Sequence, residues 1–289
     1  MGRQLKSLIW HQVARKVAMP AHSKRNRSRR PWFWAARAYA ALFFAFLYIP
    51  IIVLVILSFN NSAVTGFPLR GFTWALYREA FAGGVLVTAL WNSVKVGFAS
   101  ALTGTALALM VALGMRARFP LRTAIVPALL LPIVMPGVVT GVVMLVFFGL
   151  INWRYGLWPA TYIVHVTWVL PFAFLTLFPR MHKLDRSIEE AAMDLGATPL
   201  TVFRRIIFPL IRPGVIATFL FAFTLSFDEF IRTLFVSGSQ RTMPVHLWIL
   251  VTEQAARFLP AVGVIIMVLT LSVAILGFIV SSRTRVISA

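Results

Sequence analysis

The sequence predicts an all-α membrane protein with six transmembrane helices. Three observations carry that prediction. Of 289 residues, 60% are apolar and 12% charged, too little polar surface for a soluble domain of this length to cover its core. The apolar residues are gathered into long blocks: 38–59, 96–115, 123–153, 155–179 and 258–282 contain no Asp, Glu, Lys or Arg. Each block supplies the roughly 20 helical residues that cross ~30 Å of hydrocarbon, whereas barrel strands show short alternating runs. Thirdly, the basic residues cluster on alternate connections, as the positive-inside rule requires of a helical bundle.

Spans are expected at 38–59, 90–115, 123–150, 156–180, 213–237 and 259–281. The N-terminal tail carries ten Lys/Arg, the segment Arg116/Arg118/Arg122 three, the stretch Arg180–Arg212 six and Arg283/Arg285 two, making 21 on one side. Arg70, Arg78, Arg154, Arg241 and Arg257 make five on the other, and Lys95 and Arg232 fall within spans. This split places both termini in the cytoplasm, in keeping with an even number of spans. The chain divides into a basic cytoplasmic tail, residues 1–37, and a transmembrane domain, residues 38–289. The first apolar stretch begins after nearly 40 residues and is too long for the core of a cleavable signal, so none is expected.

The net charge of +20 raises nucleic acid as a partner, but the first 37 residues supply half of it. No aromatic RNA-binding signature, zinc-ligand spacing or soluble groove accompanies it, so the expected contact is membrane lipid. Leu5, Ile9, Val13 and Val17 repeat every four residues among Arg3, Lys6, Arg15 and Lys16, which fits either a basic helix on the anionic inner leaflet or a disordered basic arm. Lys24–Arg30 has the composition of a nuclear-localisation run, but beside six spans it acts as a topological anchor. Further along, Trp74, Tyr77 and Phe81 share one helical face, giving either a short interfacial helix or packing against the bundle. Gly137 and Gly141 form G-x-x-x-G, which permits close helix approach.

The connection between the fourth and fifth spans, about 181–212, is too long for a simple turn. Ser187 and Glu190 form an S-x-x-E capping box, Gly196 suits a left-handed helix end, and Thr198 caps a second helix that begins at Pro199. A folded corner of two short helices is expected.

Charges in the fifth span mark the candidate solute pathway, because an ionisable group at membrane depth is tolerated only against a cavity or a partner. Ser226, Asp228, Glu229 and Arg232 make up this group. Asp228 and Arg232 are spaced to pair along one helical face. That leaves Glu229 unmatched, so at least one carboxylate is expected to line a pathway. Lys95 snorkels towards the outer interface, and His165 is expected to be hydrogen-bonded within the bundle.

No G-x-x-x-x-G-K-[ST], H-E-x-x-H or Ser/His/Asp set occurs, so no catalytic residue or metal site is expected. Cysteine is absent, which excludes disulfides and thiol chemistry. A secondary transporter is the rival class. It calls for inverted repeats and broken midplane helices, and no convincing repeat is present.

The corner carries a specific resemblance. Glu190-Ala191-Ala192, Gly196 followed by Ala197, then Ile206 and Pro209, resemble the EAA loop of the membrane subunits of bacterial ABC importers, with Phe208 where Leu is usual. Tyr48-Ile49-Pro50 with Ser58-Phe59-Asn60, Trp91-Asn92-Ser93, Ser226-Phe227-Asp228-Glu229, Phe235–Gly238 and Met243-Pro244-Val245 extend it over nearly the whole chain. They resemble the spermidine/putrescine-type permeases, above all the second permease subunit of those systems. The resemblance implies the type I importer permease architecture in a bacterial cytoplasmic membrane. It implies a second homologous permease, two copies of a cytoplasmic ATPase docking on the EAA loop, and an extracytoplasmic solute-binding protein. ATP and Mg would be bound by the ATPase, with no cofactor in this chain. The doubly acidic position at Asp228 and Glu229 implies a polyamine or similar organic cation. The acid that often follows the third-span Pro is Gly137 here, and Arg232 is added. Those departures leave room for an opine, an aminophosphonate or another small organic solute.

Overall fold

The computed structural model describes residues 31–62, 66–117, 120–253 and 257–283. The expectations for the tail before Pro31 lie outside them. The described chain is almost wholly helical, with one isolated antiparallel bridge between Asn60 and Phe72. It divides into two compact units, one ending at Val53 and the other running from Leu54. Helix α1 (Pro31–Leu57) makes up the described part of the first unit, continues a few residues beyond it, and carries Pro50 within it. Its side chains are largely exposed and apolar, among them Tyr39, Leu42 and Phe46, as befits a helix whose solvent is hydrocarbon.

The second unit holds α2 (Ala75–Ala82), α3 (Val85–Gly114), α4 (Arg122–Val134), α5 (Gly137–Leu150), a π turn (Leu157–Thr161) leading into α6 (Tyr162–His182), α7 (Arg186–Asp194) and α8 (Pro199–Val202). A second π turn (Phe203–Ile207) joins α8 to α9 (Phe208–Phe227), and α10 (Ile231–Val236), α11 (Met243–Thr252) and α12 (Leu259–Arg283) complete the chain. Among the described residues, five helical segments are long and apolar enough to cross a membrane: Trp32–Leu57, Val85–Gly114, Leu157–His182, Pro199–Phe227 and Leu259–Ile279.

At the centre α3, α6 and α9 pack on one another, and α12 packs on α9. Small residues make this possible. Ala101, Ala108, Ala112, Ala173 and Ala222 are fully buried, and a Cβ added at Gly104 would stand 2.6 Å from a Val169 methyl. In a membrane, where apolar burial does not drive association, such close backbone contact supplies the dispersion energy.

Two expected spans differ from expectation. The third is not one rod, because α4 and α5 meet at 101°. Pro136 disfavours the helical conformation in the residue before it, and Met135 is extended at φ −74°, ψ 131°. Each arm of the bend is only about 20 Å long. The fifth span was expected at 213–237. Its helical rod starts instead at Pro199, inside the expected loop, and stops at Phe227. The rod is therefore continuous with the corner at one end and breaks at the charged cluster at the other.

Trp74 and Tyr77 pack with Phe59 and Phe72 in an aromatic cluster, and the Tyr77 hydroxyl lies 2.8 Å from Ser58 Oγ. This is the packing alternative for those two rings, although the short helix is present as α2. Gly137 and Gly141 face α10: an added Cβ at Gly141 would meet the Phe235 ring at 2.5 Å. The expected close approach is made, and α10 is the partner.

Candidate functional site: a corner and a helix break joined by one rod

The corner forms for local reasons. Asp185 caps α7, its carboxylate accepting the Ser187 N–H at 3.0 Å. That bond holds the exposed Asp185 carboxyl below its usual pKa. Asp185 thus takes the place expected of Ser187, because an Asp side chain one position before the helix already satisfies the free N–H of its second residue. At the other end Gly196 has φ +86°. Its N–H donates to Met193 O at 2.8 Å, and the Ala197 N–H donates to Ala192 O at 3.0 Å. These are the two bonds of a Schellman ending. Thr198 Oγ1 then accepts from the Thr201 N–H, with Pro199 in the first turn of α8. The expected corner of two short helices is present, with Asp185 in place of the expected Ser187–Glu190 box at its start.

Ala192, Ala197 and Ile206 pack against a buried core that includes Ala112, Leu177 and Ile207. Glu190, Ala191 and Pro209 are exposed. Around them the corner presents Ile188, Met193, Leu200 and, at 90% exposure, Leu195. Apolar side chains left exposed at one corner are available to a partner surface. Arg116, at the end of α3, anchors the arm. Its guanidinium donates to Met181 O at 2.5 Å and to Leu184 O at 3.3 Å, and pairs with Glu189 on α7. The sequence offered Arg116 only as one of several positive-inside residues.

The helix break holds the second group. Because α9 ends at Phe227, the four-residue spacing from Asp228 to Arg232 no longer lies on one helical face, and the expected pair does not form. Glu229 pairs with Arg232 instead: Oε2 accepts from Nη1 and Oε1 from the Arg232 N–H, both at 2.9 Å, with both side chains buried. The carboxylate thus caps α10 and neutralises its first basic residue. Asp228 is the exposed acid. The guanidinium lies 3.6 Å from the centroid of the Trp168 ring, and Gly137 leaves it room, since a Cβ there would stand 3.4 Å from Nη1. Arg232 Nε is buried without a partner.

A hydrogen-bond chain ties this break to α6. Thr233 Oγ1 donates to Glu229 O at 2.8 Å, so with its single proton used it must accept from His165 Nε2 at 2.7 Å. In a neutral ring His165 Nδ1 then accepts from Ser226 Oγ at 2.6 Å. His165 is buried and hydrogen-bonded through both ring nitrogens inside the bundle, as expected. Ser226, Glu229 and Arg232 are brought together, Asp228 stands beside them facing outwards, and Trp168 and His165 complete the cluster. Among the described residues no group of side chains could hold a metal ion. Lys95 stays over the Trp91 ring, 5.9 Å from its centroid.

The chain superposes on a chain of a bacterial ABC transporter involved in import of the polysaccharide alginate with a TM-score of 0.66, at 15% identity, covering 87% of this chain and 96% of that one. It superposes on a chain of the MetNI methionine ABC transporter with a TM-score of 0.57, at 17% identity, covering 70% and 97%. Residues 104–286 match the binding-protein-dependent transport system inner membrane components. The chain is 33% identical over 255 residues to the spermidine/putrescine transport system permease protein PotC of Haemophilus influenzae, covering 88% of this chain and 98% of that protein. It is 38% identical over 210 residues to the putrescine transport system permease protein PotI of Escherichia coli, covering 69% and 73%. The chain belongs to the family of binding-protein-dependent transport system inner membrane components, and is a multi-pass membrane protein of the ABC importer permease class.

Proposed function

We propose that this chain forms, with a second homologous permease, the membrane pathway of an importer for a polyamine or similar small organic cation. An extracytoplasmic binding protein delivers the solute, and two copies of a cytoplasmic ATPase, which bind ATP and Mg, drive the cycle. Both termini face the cytoplasm in this reading. The chain itself holds no cofactor and hydrolyses nothing. The relatives named for spermidine and putrescine support the solute class.

The observation that carries the mechanism is the continuous rod from Pro199 to Phe227. Its 29 residues span about 43 Å at 1.5 Å each. The EAA residues Glu190, Ala191, Ala192, Gly196, Ala197, Ile206 and Pro209 sit at one end as the docking surface, and Ser226, Asp228, Glu229 and Arg232 at the other. Closure of the ATPases displaces the arm, and the rod carries that displacement to the helix break, switching the cavity between inward- and outward-facing states. Asp228 is the acid free to meet a cation, since Glu229 is neutralised by Arg232.

One feature favours a second reading. Asp228, Glu229 and Arg232 together carry a net charge of −1, and the cation-binding face of Trp168 is filled by Arg232. A solute with one positive charge, or a zwitterion such as an opine or aminophosphonate, suits that balance. Purification of the tagged chain is expected to bring down a second permease and an ATPase, and proteoliposomes of that complex with its binding protein to accumulate labelled spermidine. A chain that purifies alone and transports without ATP would be a secondary transporter. Accumulation of a zwitterion in preference to spermidine would establish the second reading.

A further inference from the structure

At the end of the bundle that carries α7, a cavity of about 290 Å³ opens between four helix ends. This is close to the lower limit, roughly 300 Å³, of small-molecule sites. Arg116 closes α3, Arg122 opens α4, His182 ends α6 and Arg186 opens α7, and all four line the cavity. Among the described residues no carboxylate does. Among the described residues neither Arg122 nor Arg186 has an ion-pair partner. Arg116 spends its terminal nitrogens on Met181 O, Leu184 O and Glu189, while its Nε is buried and unpartnered. Three guanidiniums converging on one small space repel each other, and an anion removes that repulsion.

We propose that this cavity is a binding site for a phosphate-bearing anion, with an anionic phospholipid headgroup as its occupant. The guanidinium fork matches phosphate oxygens in a way that a scattered positive surface does not. Two walls of the cavity are the ends of membrane-crossing helices, which places it at headgroup depth. Met115 and Phe178 add an apolar side suited to the glycerol and first acyl carbons. Basic pockets between spans at a membrane surface hold anionic headgroups for these reasons. Positive-inside sorting alone asks for basic residues on one side of the membrane. It does not ask that they share a cavity. The bound headgroup would bridge three spans to the first residue of the arm, holding the base of the corner against the bundle.

The test is thermal unfolding of the full chain, followed by tryptophan fluorescence, in nanodiscs of phosphatidylcholine with and without phosphatidylglycerol, and in phosphatidylcholine with millimolar inorganic phosphate. It needs neither transport nor knowledge of orientation, so it stands or falls apart from the proposed function. Phosphatidylglycerol is expected to raise the melting temperature by roughly 4 °C. The R122Q/R186Q variant should lose that shift. K24Q/R25Q, which removes the same charge from the tail, should keep it. A variant-dependent shift with inorganic phosphate as large as that with phosphatidylglycerol would keep the site but make a free phosphate its occupant. No shift with either anion, or equal loss in the tail variant, would overturn the proposal. Should the double variant fail to unfold cooperatively, R122Q and R186Q are read singly, each expected to retain about half the shift.

Discussion

Asp228 and Glu229 are neighbours with opposite assignments, and the consequences of neutralising them separate cleanly. Glu229 is buried, caps α10 and is the counterion of an equally buried Arg232. Glu229→Gln therefore strands a guanidinium, an error that costs about 3–5 kcal/mol in a protein interior. The expected outcome is a marked fall in folded chain recovered from the membrane, with Arg232→Gln milder because it leaves the carboxylate its bond from the α10 backbone. Asp228→Asn should leave recovery unchanged and weaken uptake of a cation by about tenfold, the loss of roughly 1.4 kcal/mol of attraction. Recovery and uptake per assembled complex, measured side by side, check this; equal loss of recovery in both variants would contradict it. The sequence marked this group of residues but paired them wrongly. A spacing of four residues means a shared face only while the helix continues, and α9 stops one residue before Asp228. Trp168 could not be read at all as the platform for Arg232, since the two are brought together only by the packing of α6 beside the break.

The elements that were legible are those with local causes. The Gly196 corner and the Thr198–Pro199 start need only the turn chemistry of a few residues, and both formed as expected. The bend at Pro136 had a local cause too, in the constraint a proline places on the residue before it. An uninterrupted charge-free block from 123 to 153 nevertheless read as one span, because hydropathy does not see direction. Gly196 gives the sharpest element-level prediction. Nothing lies within 4 Å of where its Cβ would stand, but its φ of +86° disfavours any β-branched side chain. Gly196→Val is expected to leave membrane insertion intact while uptake falls several-fold, and Gly196→Asn, which tolerates this conformation, to retain most of it. Wild-type uptake by the valine variant would remove the corner from the coupling route. The Arg116 anchor makes a companion prediction. Arg116→Gln frees the Met181 and Leu184 carbonyls and Glu189 together, so ATP hydrolysis by the assembled complex should persist while the solute moved per ATP declines. Unchanged stoichiometry would mean that the arm is held by its apolar contacts alone.

Orientation gives the largest-scale prediction, and it depends on charge more than on packing. In the topology expected from the sequence the basic residues divide 21 to five between the two sides of the membrane, and each cationic residue left outside opposes both the membrane potential and insertion. The bend between α4 and α5 introduces a way for this to fail. If the pair does not cross, the chain has five spans, its termini lie on opposite sides, and the segment around Arg116–Arg122 is parted from the arm of α7. Geometry argues against that outcome: Arg116 pairs with Glu189, and Arg122 shares a cavity with Arg186, so the ends of α3, α4 and α6 lie at one level with the start of α7. A chain returning to that level after α5 must have crossed. Reporter fusions after Arg122, after Leu195 and after Ala289 are therefore expected to be cytoplasmic, and a fusion at Gly66 extracytoplasmic. A cytoplasmic Gly66 would invert the whole chain and leave the arm where no ATP is available. An extracytoplasmic Ala289 with Leu195 still inside would instead fault only the last crossing, α12, and leave the arm and its rod in place.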